Sequence, residues 1–211
     1  QSMNTVALAG NPNSGKSSIF NQLTGLRQKV ANFPGVTVEK KSGKLQLANN
    51  EEIELVDFPG AYSLYPNSED ERVVLNVLAN PKDENFPDAV VYVADVTGLD
   101  KHFLLLTQIK DLGLPCILAL NMADTAEQEG IVTDTQQLSE FLQMPVLTVS
   151  GRTGANISEL KQAISDILRS KKGTDPLYQP GPMEVNTLGQ VQQLLGIENP
   201  YRALLVAHHA L

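Results

Sequence analysis

Short apolar runs rich in β-branched residues alternate along the chain with segments that have helical hydrophobic spacing. The runs predicted to be strands lie at residues 5–9, 39–47, 53–57, 89–94, 116–120 and 146–149. The helical patterns lie at residues 16–23, 69–78, 101–112, 135–141 and 157–168. Residues 89–94 and 116–120 are continuously apolar, as strands buried on both faces are. This alternation predicts an α/β fold with a six-stranded, mostly parallel sheet and helices on both faces.

The second and third predicted strands are separated only by a short polar segment. Asn49, Asn50 and Glu51 lie between them and predict a hairpin turn. Because a hairpin joins antiparallel strands, one antiparallel edge strand is expected in the sheet.

The sequence changes character after residue 170. Residues 171–186 are polar and rich in Pro and Gly, which predicts a linker. Helical patterns follow at residues 188–195 and 200–211. We expect residues 3–170 to form one domain and residues 187–211 to be the truncated start of a helical one. Residues 1–2 (Gln1 and Ser2) resemble an expression scar, so a longer parent protein is expected.

Composition restricts the class of partner. The chain has 211 residues, of which 42% are hydrophobic, and this is enough for one domain with a buried core. A net charge of −8 without a basic stripe argues against RNA or DNA as the main partner. The single cysteine, Cys116, excludes an intrachain disulfide and fits a reducing compartment. There is no signal peptide, and no apolar stretch approaches the roughly 20 residues that cross a bilayer.

A phosphate-binding loop is the most specific single motif. Residues 10–17 read GNPNSGKS and match GxxxxGK[ST] between a predicted strand and a predicted helix. The glycines let backbone N–H groups approach phosphate oxygens closely. Lys16 supplies a positive charge for the β- and γ-phosphates, and the Ser17 hydroxyl is a hard oxygen ligand suited to Mg²⁺.

Three further motifs at strand ends favour a guanine nucleotide. Asp57 begins the motif DFPG and can hold Mg²⁺ through a water, while Gly60 lets an N–H reach the γ-phosphate. In NMAD at residues 121–124, the Asp124 carboxylate can accept both N–H groups of guanine's N1/N2 edge, which adenine lacks. A backbone N–H in residues 150–151 can meet guanine O6. In this order the motifs resemble those of the translation-factor/Ras superfamily of GTPases.

The predicted nucleotide contacts follow from these motifs. They are Gly10, Asn11, Pro12, Asn13, Ser14, Gly15, Lys16, Ser17, Ser18, Asn121, Met122, Asp124, Ser150, Gly151 and Arg152. Met122 replaces the Lys that is usual in the guanine motif and can cover the base without a charge. We therefore expect guanine selectivity to be kept and the affinity to be modest.

The residue after Gly60 bears on hydrolysis. Ras-like enzymes carry a Gln there to orient the attacking water, but this chain has Ala61. Intrinsic hydrolysis is therefore expected to be slow unless another group supplies charge. Asn13 is the candidate for helping to supply that charge. A subset of GTPases with Asn at this position resembles a cation-dependent group, in which K⁺ stabilises the negative charge that develops during hydrolysis. The alternative is that Asn13 only shapes the turn.

Two segments resemble the FeoB family of ferrous iron transporters. Residues 32–39, NFPGVTVE, resemble switch I of that family, and residues 57–71, DFPGAYSLYPNSEDE, resemble its switch II. The resemblance implies that Thr37 closes over Mg²⁺ and the γ-phosphate in the GTP state. It also implies that backbone carbonyls around Ala31 and Phe33 help to hold K⁺. The predicted catalytic residues are Lys16, Asn13, Thr37 and Gly60.

The same resemblance implies an architecture beyond this chain. In the family, a helical domain that modulates nucleotide release follows the G domain, and a transmembrane region that moves Fe²⁺ follows in turn. The expected partners are GTP and GDP, the transmembrane region of the parent, and a small regulatory protein of the iron transport system. The G domain is expected at the cytoplasmic face of the bacterial inner membrane, with this fragment soluble by itself. Competing interpretations are a soluble ribosome or assembly GTPase and a nucleotide-binding scaffold without hydrolysis.

Overall fold

The computed structural model describes residues 3–96, 99–121 and 134–173. One sheet contains seven strands: β1 (Thr5–Ala9), β2 (Gln28–Asn32), β3 (Glu39–Gln46), β4 (Glu52–Asp57), β5 (Ala89–Asp95), β6 (Cys116–Asn121) and β7 (Val146–Val149). Their order across the sheet is β2-β3-β4-β1-β5-β6-β7. Within those ranges there are five helices: α1 (Lys16–Thr24), α2 (Glu69–Ala79), α3 (Leu99–Asp111), α4 (Thr135–Leu142) and α5 (Ile157–Gly173).

The α/β class is confirmed, but the predicted count of six strands was wrong. The additional strand, β2, pairs antiparallel with β3 and forms the edge of the sheet. All five of its residues are exposed, so its sequence carries no apolar run that would reveal a strand. β3 runs antiparallel to both of its neighbours, β2 and β4, as the predicted hairpin requires. The antiparallel strand was expected at the edge of the sheet, but β3 lies second from the edge.

The core consists of one apolar layer on each face of the sheet. The face covered by α1 and α5 buries residues such as Ile19 and Leu160. The opposite face, covered by α2, α3 and α4, buries residues such as Val74, Leu105 and Leu138. Successive residues of β5 alternate between the two layers, because neighbouring side chains of a strand point to opposite faces. The prediction of helices on both faces is confirmed.

The last of the described helices extends slightly beyond its predicted end. α5 continues to Gly173, three residues into the segment predicted as a linker from residue 171. The remainder of that linker and the predicted helical start at residues 187–211 lie outside the described residues. None of the described helices combines the length and the apolar character needed to cross a membrane.

The parallel strands determine where a ligand can bind. β1, β4, β5, β6 and β7 run in the same direction, so their carboxyl ends meet along one edge of the sheet. In open α/β sheets this edge is the usual ligand site. The phosphate loop and the DFPG motif begin at this edge, where β6 and β7 also end.

Candidate functional site

The phosphate loop contains a tight turn at residues 11–14. The Asn11 carbonyl accepts the Ser14 N–H at 3.3 Å, with Pro12 in the second position and Asn13 in the third. Asn13 has a φ of 65°, and proline followed by a residue of positive φ is the pattern of a type II turn. Asn tolerates this conformation better than most residues do. The exposed Asn13 side chain therefore lies at the tip of the loop.

Two glycines of the loop occupy positions that a side chain could not. A Cβ on Gly10 would lie 2.4 Å from the Val93 carbonyl oxygen, so the loop rests directly on β5. Gly15 has a φ of 85°, and a Cβ there would lie 1.9 Å from the Asn121 amide nitrogen. Gly15 is also the N-cap of α1 and offers no side-chain cap. The first N–H groups of α1 therefore lack the capping side chain that commonly satisfies them, which suits an anion.

A close ion pair joins the phosphate loop to the DFPG motif. The ammonium group of Lys16 contacts the Asp57 carboxylate, and both side chains are largely buried. Asp57 lies at the end of β4, and Ser17 follows Lys16 in the first turn of α1 with its side chain exposed. A carboxylate and a hydroxyl are hard oxygen ligands, so this donor set fits Mg²⁺. The sequence prediction placed these three residues in one site, and the structure brings Lys16 and Asp57 together.

Asn121 connects the phosphate loop to the segment after β7. Its amide nitrogen donates to the Ser14 carbonyl at 3.2 Å, and its side-chain oxygen accepts the Gly151 N–H at 3.1 Å. Gln22 of α1 donates to the Gly151 carbonyl at 3.0 Å. A Cβ on Gly151 would come within 2.6 Å of the Ser18 Cβ. Asn121 thus acts as a brace between motifs.

This brace restricts which backbone group can contact the guanine base. The Gly151 N–H is donated to Asn121, and the Ser150 N–H is donated to the Ala155 carbonyl at 3.1 Å, so either N–H would have to leave its present acceptor to contact guanine O6. Ser150 is buried, and its hydroxyl accepts the Thr153 N–H at 3.1 Å, while Arg152 is exposed. Met122 and Asp124, the predicted base contacts, lie outside the described residues. The O6 and N1/N2 contacts stay predictions.

The predicted switch I segment is anchored by a phenylalanine. Phe33 is buried, donates its N–H to the Val38 carbonyl at 2.9 Å and accepts the Val36 N–H at 3.3 Å. Thr37, between these residues, is exposed. Ala31 lies in β2 opposite Lys40. Since the Phe33 carbonyl already accepts one N–H, K⁺ could use only its second lone pair or a rearranged turn.

Switch I and switch II touch through aromatic rings. Phe33 and Phe58 have ring centroids 6.2 Å apart at an interplanar angle of 76°, an edge-to-face arrangement. Each phenylalanine begins an FPG tripeptide, one in each switch. The contact joins the two segments directly.

Switch II also begins in contact with the phosphate loop. The Ala61 N–H donates to the Gly10 carbonyl at 3.1 Å. A Cβ on Gly60 would lie 2.9 Å from the Pro12 ring, so this glycine permits the close approach. Ala61 is fully buried, and its methyl group offers no hydrogen bond to a water.

A buried carboxylate that the sequence reasoning missed orders the rest of switch II. Glu71 accepts the Tyr62 N–H at 3.0 Å and the Asn67 N–H at 2.8 Å. Its own N–H donates to the hydroxyl of Ser68, the N-cap of α2, at 3.1 Å. The spacing Ser68-x-x-Glu71 is a capping-box signal that could have revealed this residue. Gln108 of α3 accepts the Leu64 N–H at 2.7 Å, for which the sequence carries no local signal.

The comparison with known families agrees with this arrangement. The family model described as Ferrous iron transport protein B matches residues 4–164. The chain belongs to the FeoB family. The FeoB resemblance inferred from residues 32–39 and 57–71 is therefore confirmed.

Curated FeoB relatives are considerably longer than this chain. The Fe(2+) transporter FeoB of Leptospira biflexa is 38% identical over 192 residues, which cover 91% of this chain and 27% of the relative. A fusion of Fe(2+) transport protein A with FeoB from Porphyromonas gingivalis is 41% identical over 175 residues, covering 83% and 20%. The chain thus spans about a quarter of the length of these relatives or less.

Solved FeoB structures share the fold. The G domain of T. maritima FeoB superposes with a TM-score of 0.71 at 40% identity, covering 79% of this chain and 99% of that one. The cytosolic domain of T. maritima FeoB in its GMPPNP form gives a TM-score of 0.76 at 35% identity, covering 96% and 80%. The predicted P-loop GTPase fold is confirmed by these neighbours.

Proposed function

We propose that this FeoB-family chain binds GTP and GDP and hydrolyses GTP slowly to GDP and phosphate, with stimulation by K⁺. The observation that carries the proposal is the brace formed by Asn121. It ties the carbonyl of Ser14 in the phosphate loop to the N–H of Gly151 in the last motif, which supports one site made of the predicted phosphate and base motifs. The GMPPNP form of the T. maritima relative supports a nucleotide at this place.

Different residues are expected to contact different parts of the phosphate chain and its Mg²⁺. When the nucleotide binds, the Lys16 ammonium is expected to leave Asp57 and to contact phosphate oxygens. The reason is that the phosphates would then be the strongest negative charge near the ammonium. Ser17 and Asp57 would hold Mg²⁺, directly and through water respectively, and Thr37 would join from switch I. Bound Mg²⁺ neutralises phosphate charge during the transfer. The Gly60 N–H is expected to sense the γ-phosphate.

Slow hydrolysis follows from what surrounds the attacking water. Ala61 is buried against Gly10 and has no group to orient that water. Asn13 presents an exposed carboxamide at the loop tip, where a K⁺ ion held with switch I carbonyls, such as those of Ala31 and Phe33, would supply positive charge. A fixed cation there would stabilise charge that develops on the phosphates in the transition state.

The hydrolysis test compares salts and nucleotides at equal ionic strength. GTP turnover by this chain should be faster in KCl than in NaCl, absent with ATP, and lost in Lys16→Ala. Binding of fluorescent GDP should also be abolished or greatly weakened in Lys16→Ala. Binding of ATP as tight as that of GTP would contradict the guanine assignment, and nucleotide binding without any turnover would leave a non-hydrolysing scaffold.

The parent protein is proposed to be a ferrous iron transporter in which this chain is the nucleotide switch at the cytoplasmic side of the membrane. Support comes from the Fe(2+) transporter relatives. The fusion with Fe(2+) transport protein A supports a small protein of the same system as a partner. Several apolar segments of about 20 residues in the reading frame after Leu211 would support this proposal. A stop codon there, or a basic RNA-binding domain, would contradict it and favour a soluble assembly GTPase.

A further inference from the structure

A tyrosine that belongs to none of the nucleotide motifs lies directly beneath the phosphate loop. Tyr92 is in β5, with Ala9 of β1 as its ladder partner. Its side chain is fully buried in the same apolar layer as Ala7 and Ala9. Ala9 is the last residue before the loop, and its small side chain leaves room for the tyrosine ring to reach the loop's underside.

The tyrosine hydroxyl ends at a polar atom of the loop. It donates to the side-chain oxygen of Asn11 at 3.4 Å, and Asn11 is itself only 2% exposed. Burial raises the pKa of the Tyr92 phenol well above its usual range, so the hydroxyl stays protonated and acts as the donor. A polar group with so little access to water is retained in a core only when it is hydrogen-bonded.

Asn11 also closes the backbone turn of the phosphate loop. Its carbonyl closes the turn by accepting the Ser14 N–H, and this turn gives Asn13 its positive φ. The preceding residue, Gly10, is pressed against the Val93 carbonyl and accepts the Ala61 N–H of switch II. Tyr92 and Val93 thus support the phosphate loop from below and, through Gly10, also the start of switch II.

We infer that Tyr92 is a positioning residue for the nucleotide site: its hydroxyl fixes the Asn11 carboxamide and thereby the turn that presents Asn13 and the loop N–H groups to the phosphates. This inference rests on the proposed nucleotide binding. Tyr92 touches no phosphate; it acts through Asn11. The hydrogen bond is longer than the usual O–H···O distance, so its loss should weaken GDP binding by only about two- to fivefold.

The test is a double-mutant cycle on nucleotide affinity. Tyr92→Phe removes one oxygen and keeps the ring, and Asn11→Ala removes the acceptor. The dissociation constant of fluorescent GDP is measured by titration for the original chain, both single variants and the double variant, and unfolding without nucleotide is measured in parallel. Ser165→Ala is the control, because it removes another buried hydroxyl, on α5, whose oxygen accepts an Arg169 N–H at 3.1 Å. Asn11→Leu, similar in shape to Asn and without an acceptor, replaces Asn11→Ala if that variant does not fold.

The cycle separates a positioning role from a packing role. Tyr92→Phe should raise the dissociation constant about two- to fivefold in the original chain and have almost no effect when Asn11 is already replaced. Ser165→Ala should leave the GDP affinity unchanged. An equal effect of Tyr92→Phe in both backgrounds, or no effect on GDP affinity beside a loss of stability, would overturn the inference. If the original chain binds no GDP, the proposed function itself is wrong. If the original chain binds GDP tightly and Tyr92→Phe leaves the dissociation constant unchanged, only the positioning role of Tyr92 is wrong.

Discussion

Asn13 has two separable properties at a single position. Its backbone φ of 65° is what the turn needs, and its carboxamide is what a K⁺ ion would need. The sequence left these roles as alternatives. The geometry establishes the turn role and leaves the potassium role as a prediction, because a turn residue and a cation ligand can be the same asparagine.

Asn13→Gly separates the two roles, because glycine adopts positive φ without strain and has no carboxamide. We expect this variant to bind GDP normally and to lose K⁺ stimulation, with kcat in KCl falling by at least about tenfold, or about 1.4 kcal/mol of barrier. Steady-state GTP hydrolysis in KCl and NaCl measures the effect. Asn13→Ala is the comparison, since it loses the amide and also strains the turn. If Asn13→Gly kept its K⁺ stimulation, Asn13 would be a turn residue only.

At the scale of elements, the apolar pattern predicted those that bury hydrophobic surface. β1 and β7 have the bounds that the sequence predicted, and the other predicted strands and helices that bury apolar residues differ mainly at their ends. β2 was missed because an edge strand with both faces exposed needs no apolar residue. The motifs predict a site at the strand ends, since strand ends and glycines are local signals. Contacts such as those of Tyr92 and Gln108 join residues far apart in sequence, and no local pattern encodes them.

The predicted switch II segment depends on one carboxylate at the start of α2. Glu71 is buried and accepts two backbone N–H groups from residues 62 and 67. Glu71→Gln should destabilise the chain by about 1–3 kcal/mol, because the amide NH₂ that replaces one oxygen cannot accept an N–H. Hydrogen exchange at residues 62–67 should become faster, while GDP binding should change little. Urea unfolding and exchange mass spectrometry measure both effects.

Asp70→Asn is the matched control for that variant. Asp70 lies in the same first turn of α2, is exposed, and loses the same charge on substitution. Its exchange rates at residues 62–67 should match those of the original chain. If both variants accelerated exchange equally, the cause would be the helix dipole, and the hydrogen bonds of Glu71 would not be what orders the segment.

For the whole molecule, the predicted site spans segments at the carboxyl ends of four of the seven strands. The phosphate loop follows β1, switch II follows β4, and the two base motifs follow β6 and β7, with Asn121 and the Lys16–Asp57 pair as the ties between them. A ligand that contacts all of these loops adds its binding free energy to the free energy of unfolding of the entire sheet. Nucleotide binding should therefore be visible as a change in global stability.

GDP with Mg²⁺ at about 100 times its dissociation constant should stabilise the chain by about 2.7 kcal/mol. For a domain of this size that corresponds to a rise in Tm of about 5–10 °C, because each kcal/mol shifts Tm by roughly 2–4 °C. Differential scanning fluorimetry with GDP, ATP and no nucleotide measures it, with Lys16→Ala as the variant that should not respond. An equal shift with ATP would mean that the base motifs contribute no selectivity. A shift that persisted in Lys16→Ala would mean that the nucleotide binds elsewhere, because the ammonium of Lys16 is the main positive charge that this arrangement offers the phosphates.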